Sequence, residues 1–491
     1  MISQPRLNKA NLSQAKAALG QPASMGNRSD NKIVHIGIGA FSRAHQALYT
    51  QIANDKTQDY WSIVGVSLRS PGVRDTLKPQ DYLYTIKERS LNENNLRCIS
   101  CLEDILVGSE NAQAVIDQIA DEATKIVTVT VTEKGYCQAS QRLDTDNKAV
   151  AADIESGSCT SLPAYLARAL LARKNAGLAG ITIVSCDNLP NNGEILQNVV
   201  KDFADTLQAE LRNWIDDNVR FCSTMVDRIV PAATEQVVQE ISDDIGLHDS
   251  GALLCEPYKQ WVIEDNFLSS RPAWEEAGAL LVEDVAAYEK LKLRMLNGCH
   301  SALAYIGSLL GDEFIHQTIT RPEVEAFIVR LMVSEQSQSL QVPPGIDIDQ
   351  YSSAVIERFK NKYVPYRNAQ VATDGSLKLP QRLLFSAYDL RQKSIAPQCI
   401  ALAVAAWLQY LVGYTAGGSY VVSDPNLDML EGIIAANSND SAQLVSAMMS
   451  QSGVFPESLQ QDDVFESMVL ECYESLQSQG ITDVLVNITA H

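Results

Sequence analysis

A chain of 491 residues exceeds what one hydrophobic core ordinarily supports, so two or three domains are expected. With 46% hydrophobic and 20% charged residues and no low-complexity tract, the composition is that of a folded globular protein. The 39 Lys and Arg against 60 Asp and Glu give a formal net charge of −21, which speaks against nucleic acid or an anionic membrane surface as partner, since both call for a basic face.

No run of about 18 apolar residues, the length of a membrane span, is apparent. The opening MISQPRLNKANLSQAKAALG has no compact apolar core followed by a small-residue cleavage site, so no secretory leader is expected and the chain reads as cytoplasmic. In that setting the 10 cysteines are expected to be buried thiols. Cys98 and Cys101 form a C-x-x-C, but no second ligand pair follows at a spacing that would complete a zinc site, and no metal is expected.

Residues 33–40 read as a buried strand and 43–54 as the helix after it. WSIVGVSLR (61–69) is a second strand, 111–122 a helix, and KIVTVTVT (125–132) a third strand that stops at EKGYC. A helix over 162–175 precedes the strand GITIVSCDN (180–188). Strands alternating with helices imply a mostly parallel sheet with crossover helices, and near-continuous Val/Ile runs fit strands buried on both faces. Beyond residue 280 the texture changes to helical patterns: VEDVAAYEKLKLRMLNGCHSALAYIGSLLG as one long helix, then RPEVEAFIVRLMVSEQ, QCIALAVAAWLQYLVG and SDPNLDMLEGIIAAN. The expected architecture is α/β, with a Rossmann-like N-terminal domain over 1–283 and a mainly α-helical C-terminal domain over 284–491.

The first strand runs into KIVHIGIGAFSRAH, Lys32 to His45. A strand, a tight glycine turn and a helix form the setting of the dinucleotide fingerprint G-x-G-x-x-G. Gly37 can take the turn, and Gly39 leaves room for a pyrophosphate to approach the backbone. Ser42 stands where a third glycine is usual, and Arg43 can add a charge-assisted phosphate contact. Two glycines alone do not separate a cofactor loop from a structural turn. At the end of the second strand, where an Asp or Glu commonly holds the ribose of NAD, this chain has Ser67 and Arg69, so NADP is not excluded.

A second group lies in the long helical pattern. At about 100° per residue, Lys292, Asn297 and His300 fall at about 0°, 140° and 80°, one face with His300 in the middle. A desolvated lysine can serve as a general base near neutral pH, and an Asn amide can donate to an alkoxide. The spacing by itself is equally met by a surface lysine with two buried polar neighbours. Tyr288 and Lys292 also make a Y-x-x-x-K, a spacing common on helices and here far from the first sheet. Asn188 closes a strand at the carboxyl end, where open α/β sheets bind ligands. Asp227, in TMVDRIVPA, is an acid among apolar residues, for which an ion pair with Arg228 or a distant arginine is the plain alternative.

HIGIGAFSRAHQALY, TVTEKGYC, SCDN, MVDRIVPA, EPYKQWVIEDNF, KLKLRMLNGCHSALAY and DGSLKLPQR follow one another between residues 35 and 382. Together they resemble the mannitol dehydrogenase family, the polyol-specific long-chain dehydrogenases, over nearly the whole chain after residue 30. TEKGYC, QWVIEDNF and DGSLKLPQR look closest to its fructuronate reductase (D-mannonate oxidoreductase) branch. The family loop G-x-G-x-F-x-R-x-H is met by Gly37, Gly39, Phe41, Arg43 and His45, while Ser42 departs from the His often found there. The resemblance implies a metal-independent, NAD(P)-linked interconversion of a secondary alcohol and a ketone, with a small sugar acid or polyol as partner and a monomer or weak homo-oligomer as the assembly. It implies Lys292 as general acid/base, Asn188 and Asn297 as donors to the reacting oxygen, His300 on the substrate oxygens, Asp227 in support and Glu289 as proton relay. Lys378 and, more weakly, Arg367 would bind substrate, and Ile36, Gly37, Gly39, Ala40, Phe41, Arg43, Glu133 and Lys134 would hold the cofactor. The alternatives are a mannitol 2-dehydrogenase and, in another class, a non-catalytic nucleotide sensor, against which the intact Lys292, Asn297 and His300 set speaks.

Overall fold

The computed structural model describes residues 4–16, 19, 22–23, 30–57, 59–418 and 422–490. The chain divides into two compact units, Met1–Ala286 and Ala287–His491.

In the first unit six strands form one sheet: β1 (Asn31–Ile36), β2 (Trp61–Ser67), β3 (Leu102–Val107), β4 (Thr124–Val129), β5 (Ile181–Ser185) and β6 (Val219–Cys222). Their order is β6-β5-β4-β1-β2-β3, and every pairing is parallel. This is the doubly wound Rossmann order, with the switch point between β1 and β4. Alternate residues serve opposite faces. Val34, Ile36, Val127, Val129 and Ile183 join Leu166, Leu170, Val199 and Phe203 in one core, while Ile33, Ile63, Ile126 and Val184 join Leu48, Tyr49, Trp261 and Trp274 in another.

The edge strands β3 and β6 lie outside the strands expected from sequence. β3 reads LEDILV, with two acids that mask it as a strand, and β6 has only four residues. β1 also stops at Ile36, because Gly37 turns the chain. The helix expected over 43–54 is two helices, Ala40–Ala44 and Gln46–Lys56, broken at His45 (φ −120°, ψ −83°). Two further three-stranded sheets flank the main one. Tyr84–Arg89 pairs antiparallel with Asn94–Ile99 and parallel with Leu253–Cys255. Gln260–Glu264 pairs antiparallel with Thr224–Asp227 and parallel with Leu280–Val282.

The opening stretch, read as lacking a leader, falls outside the described residues at 1–3, 17, 18 and 20. Its described part is docked: Leu7, Leu12 and Leu19 pack with Leu83, Cys98, Ile245 and Leu247. Cys98 belongs to that cluster and Cys101 to the core beneath the main sheet, where its thiol meets the Ala47 carbonyl at 3.3 Å. Burial pushes the Cys98 thiol up to about 12.

The described residues of the second unit are helical throughout, apart from loops and one isolated bridge. Gln398–Thr415 is long and apolar enough to cross a membrane by length and composition, which the sequence reading passed over. Here it is the core helix, 67% buried and packed against Cys299–Leu310 and Asp463–Gln479. The single long helix expected around Lys292 is three pieces: Ala286–Leu291, a π-helical turn Lys292–Gly298, and Cys299–Leu310. Two more π-turns occur, Leu331–Gln336 and Pro380–Leu384. Such turns carry one residue more than an α-helical turn and cluster at functional sites.

Glu335, in the second π-turn, caps the core helix: its carboxylate accepts from Cys399 N at 2.6 Å and Ile400 N at 2.9 Å. Burial outweighs these bonds and raises its carboxyl from 4.5 to about 6. An acid whose folded value is raised holds its proton more tightly in the native state, so stability falls as pH rises between those two values and stays lower above them. The difference is about 2 kcal/mol. Glu335→Gln, which keeps an acceptor for the helix amides, is expected to melt above wild type at pH 8, with the gap closing toward pH 4.5. An equal gap at both pH values would show that this carboxyl does not titrate in that interval.

Candidate active site

The glycine loop is built by three segments of the first unit. Gly37 has φ +98°, and a Cβ there would sit 1.9 Å from the Thr130 carbonyl oxygen, so this glycine is required by the fold itself. The Gly37 carbonyl accepts from Thr130 Oγ1 (2.8 Å), Gly39 N (2.7 Å) and Ser42 Oγ (3.2 Å). Ser42 also reaches the Gly39 carbonyl, which is how a serine serves where a third glycine is usual. Because the Thr130 hydroxyl donates to Gly37, it can only accept from His35 Nε2, 2.8 Å away, and His35 Nδ1 then accepts from Thr128 Oγ1 at 2.7 Å. Burial drops the His35 pKa to about 4, so this neutral tautomer holds at ordinary pH.

Gly39 differs from Gly37. It is the N-cap of Ala40–Ala44 at φ −89°, and a Cβ would meet nothing nearer than Gly37 O at 3.8 Å. Nothing in the fold demands glycine there, and the backbone at Gly39 stays open to a close approach. Ile36 is core, its carbonyl bonded by Thr130 N. Phe41 stacks on His45 at 5.0 Å, and His45 is buried and bonded to the Gln260 carbonyl. Arg43 is engaged by the Gly39 and Gly251 carbonyls at 3.3 and 3.0 Å, so it braces the loop. At the end of β2, Ser67 Oγ donates to Ser70 O, and Arg69 is exposed; the segment Ser67–Ser70 carries no carboxylate.

Beside this loop, Glu133 and Lys134 are exposed at the start of the short helix Glu133–Tyr136. That turn is tied to the end of β5 by Asp187, which accepts from Val131 N, Thr132 N and Tyr136 Oη, each at 2.9 Å. Asn192 donates to the Asp187 and Thr224 carbonyls at 2.8 Å each, fixing the loop that presents Asn188, which is exposed. Asp187 and Asn192 escaped the sequence reading: Asp187 stood inside the motif SCDN, but its partners lie some fifty residues away. Asp227 ends its strand and is buried. The ion pair of its neighbour Arg228 goes to Glu88, and the rest of that guanidinium to the Ala44 and Glu256 carbonyls.

In the second unit Lys292 opens the π-turn and Asn297 stands near its end, 8% and 9% exposed. Five residues of α-helix would set them about 140° apart, and the wider π-turn, which bonds i to i+5, brings them closer to one face. His300 lies in the next turn, stacked on Phe359 at 5.1 Å with its edge to Tyr366 at 5.7 Å. Glu289 is half-buried on the preceding helix. Tyr288 Oη turns to the Pro344 carbonyl. Lys378 Nζ donates to Thr373 O (2.6 Å) and Thr373 Oγ1 (3.1 Å) and pairs with Asp374 at 3.6 Å. Burial, and then the nearby Arg382, lower its pKa. Arg382, unassigned from sequence although it ends the DGSLKLPQR motif, donates to Ser301 Oγ at 2.9 Å and Asn297 O at 3.5 Å. Arg367 is not drawn into this group: it is exposed, paired with Glu313 and laid over Phe314.

A parallel sheet in Rossmann order, with a glycine loop at its switch point whose second glycine the fold does not need, defines a dinucleotide-binding protein. The mannitol dehydrogenase Rossmann-domain model matches residues 31–276, and the mannitol dehydrogenase C-terminal-domain model residues 284–477. The chain is 40% identical to the D-mannonate oxidoreductase of Escherichia coli over 470 residues, 94% of this chain and 96% of that one. It is 35% identical to a mannitol 2-dehydrogenase of Pyrenophora tritici-repentis, over 97% of this chain and 84% of that one. Among solved structures, the mannitol 2-dehydrogenase of Pseudomonas fluorescens, in ternary complex with NAD and D-mannitol, superposes with a TM-score of 0.83 at 34% identity, covering 99% of each chain. The chain belongs to the mannitol dehydrogenase family, and it is an oxidoreductase that uses NAD.

The two glycines separate by experiment. Gly37→Ala is expected to lower the melting temperature sharply, because both φ and the Thr130 contact forbid a side chain. Gly39→Val should melt within about 1 kcal/mol of wild type, yet bind NADH more than about tenfold more weakly by fluorescence titration. Unchanged affinity in Gly39→Val would reduce the loop to a structural turn.

Proposed function

We propose that the enzyme interconverts D-fructuronate and D-mannonate with NAD as hydride carrier and without a metal ion. The main support is the likeness to D-mannonate oxidoreductase, 40% identity over 94% of the chain. The half-buried ammonium of Lys378 in the second unit suits a carboxylated sugar.

Bound NAD would supply the hydride acceptor for the alcohol carbon, and its reduced form the hydride donor for the ketone carbon. The segment from Ile36 through Gly37, Gly39, Ala40 and Phe41 holds it, braced by Arg43 and bordered by Glu133 and Lys134; the open space over Gly39 fits that group. Lys292 gives its proton to the substrate oxygen during reduction and takes it back during oxidation. The amide of Asn297 donates to the same oxygen as it becomes an alkoxide, and Asn188 is the first unit's candidate for a donor of that kind. Losing one such donor costs about 3 kcal/mol, on the order of a hundredfold in rate. His300, oriented by Phe359 and Tyr366, holds a neighbouring substrate oxygen. Asp227 supports Asn188 in the first unit, and Glu289, one turn before Lys292, relays its proton to solvent. Lys378 turns its ammonium from Asp374 to the sugar carboxylate. Arg367 has no part in this reading, since Glu313 and Phe314 hold it.

Lys292→Ala is expected to abolish turnover while NADH affinity stays within a fewfold, and added primary amines should restore part of the rate. Near-wild-type activity would remove Lys292 from the mechanism. Fructuronate should be reduced with a much higher kcat/KM than fructose. A charge-assisted bond to the carboxylate is worth about 1.5–3 kcal/mol, about ten- to a hundredfold. The net charge of −21 opposes an anionic sugar, but that repulsion is screened beyond about 8 Å at physiological salt. Lys378→Met should harm fructuronate turnover more than fructose turnover. A wild-type preference for fructose would favour the mannitol 2-dehydrogenase reading, to which the likeness to the Pseudomonas fluorescens enzyme lends weight.

A further inference from the structure

The three π-turns of the second unit converge on one residue. Gly298 closes the turn that carries Lys292 and Asn297, and a Cβ there would lie 2.5 Å from the Arg382 carbonyl oxygen and 2.7 Å from Gln336 Nε2. Gln336 ends the second π-turn, and Arg382 sits in the third. Gln336 is fully buried and bonded at both ends of its amide: Nε2 donates to Arg382 O at 2.9 Å, and Oε1 accepts from Ser386 Oγ at 2.6 Å. The Arg382 guanidinium returns to the first turn, donating to Ser301 Oγ and to the Asn297 carbonyl. On the other flank, buried Arg294 from the same turn pairs with Asp389 and bonds the Ser339 carbonyl, both at 2.7 Å.

An isolated segment favours α-helix over π-helix, so an inserted residue persists only where surrounding contacts hold it. Relaxation to α-geometry would swing Asn297 away from Lys292 by about a quarter of a turn. We propose that Arg382 and Gln336 are positioning residues, a clamp on Gly298 that holds the Lys292–Gly298 turn in the π form and thereby sets the amide of Asn297 against the ammonium of Lys292. Neither needs to touch substrate for this. The inference rests on the reading of Lys292 as general acid/base.

The test compares Arg382→Ala, Arg382→Lys, Gln336→Ala and Gly298→Ala in the full-length enzyme, with NADH binding and melting temperature measured alongside turnover. The expected result for Arg382→Ala is a loss on the order of a hundredfold in kcat, the usual effect of misplacing reacting groups by about 1 Å. KM should change far less, and NADH affinity should stay at the wild-type level. The pH profile of kcat should shift, since the surroundings of Lys292 change. A deuterated nicotinamide should show a larger isotope effect as the chemical step slows. Arg382→Lys and added guanidinium should each recover part of the rate. Gly298→Ala should reproduce the kcat loss without removing any hydrogen-bonding group. If Arg382→Ala does not fold, Arg382→Lys and Gly298→Ala carry the comparison. Folded variants with wild-type kcat and an unchanged pH profile would overturn the clamp. A fully active Lys292→Ala would instead sink the underlying reading, whereas an inactive Lys292→Ala beside an unaffected Arg382→Ala sinks only the clamp.

Discussion

The carbonyl of Gly37 is the point on which the first unit's site depends. It accepts three hydrogen bonds, from Thr130, Gly39 and Ser42, within a turn so tight that a Cβ would collide with the Thr130 backbone. The amides of Gly37 and Ile38 both bond the Val66 carbonyl, so the same turn is pinned to the end of β2. Through Thr130 it is tied to the end of β4, and through Ser42 to the following helix. Buried His35 supports the Thr130 hydroxyl from beneath, in a neutral form that burial enforces. The turn is therefore held from three sides by hydrogen bonds within the first unit.

A second fixed frame surrounds it. Asp187 gathers two amides and a tyrosine hydroxyl, and Asn192 closes the next turn onto the strand that ends at Asp227. A buried carboxylate is costly unless its lone pairs are filled, and here three donors fill them. The exposed Asn188 is thus carried on a loop whose neighbours on both sides are buried and bonded.

The second unit solves the same problem with helices. Its core helix, Gln398–Thr415, is apolar almost all round because it is surrounded by other helices, which is also why its composition imitates a membrane span. Lys292 and Asn297, the side chains proposed for the chemistry, lie on a π-turn, a form less favourable in isolation than the α-helix. Backbone and side chains of two other π-turns pack against Gly298. Lys378 lies beyond, half-buried and held by Thr373.

The central strands, the glycine turn and the change to helical texture were legible in the sequence because each is written in local spacing. Val and Ile runs mark strands buried on both faces, and Gly37 announces a backbone that no side chain permits. The edge strand Leu102–Val107 was not legible, since its acids break the apolar pattern, nor was Val219–Cys222, which is too short to show one. The small sheets were missed because their pairings are non-local: Leu253–Cys255 joins a strand near residue 86, and no local pattern records that. The sequence alone determined which residue types recur in the family motifs, and so which side chains are candidates for the chemistry. Only the tertiary structure decided that Gly37 serves the fold while the space over Gly39 stays open, that Arg367 is held by Glu313, and that Lys292 and Asn297 share a π-turn. Each of these is fixed by contacts between segments far apart in the chain, and a backbone form that is unfavourable in isolation can be stabilised only by partners that local spacing does not encode.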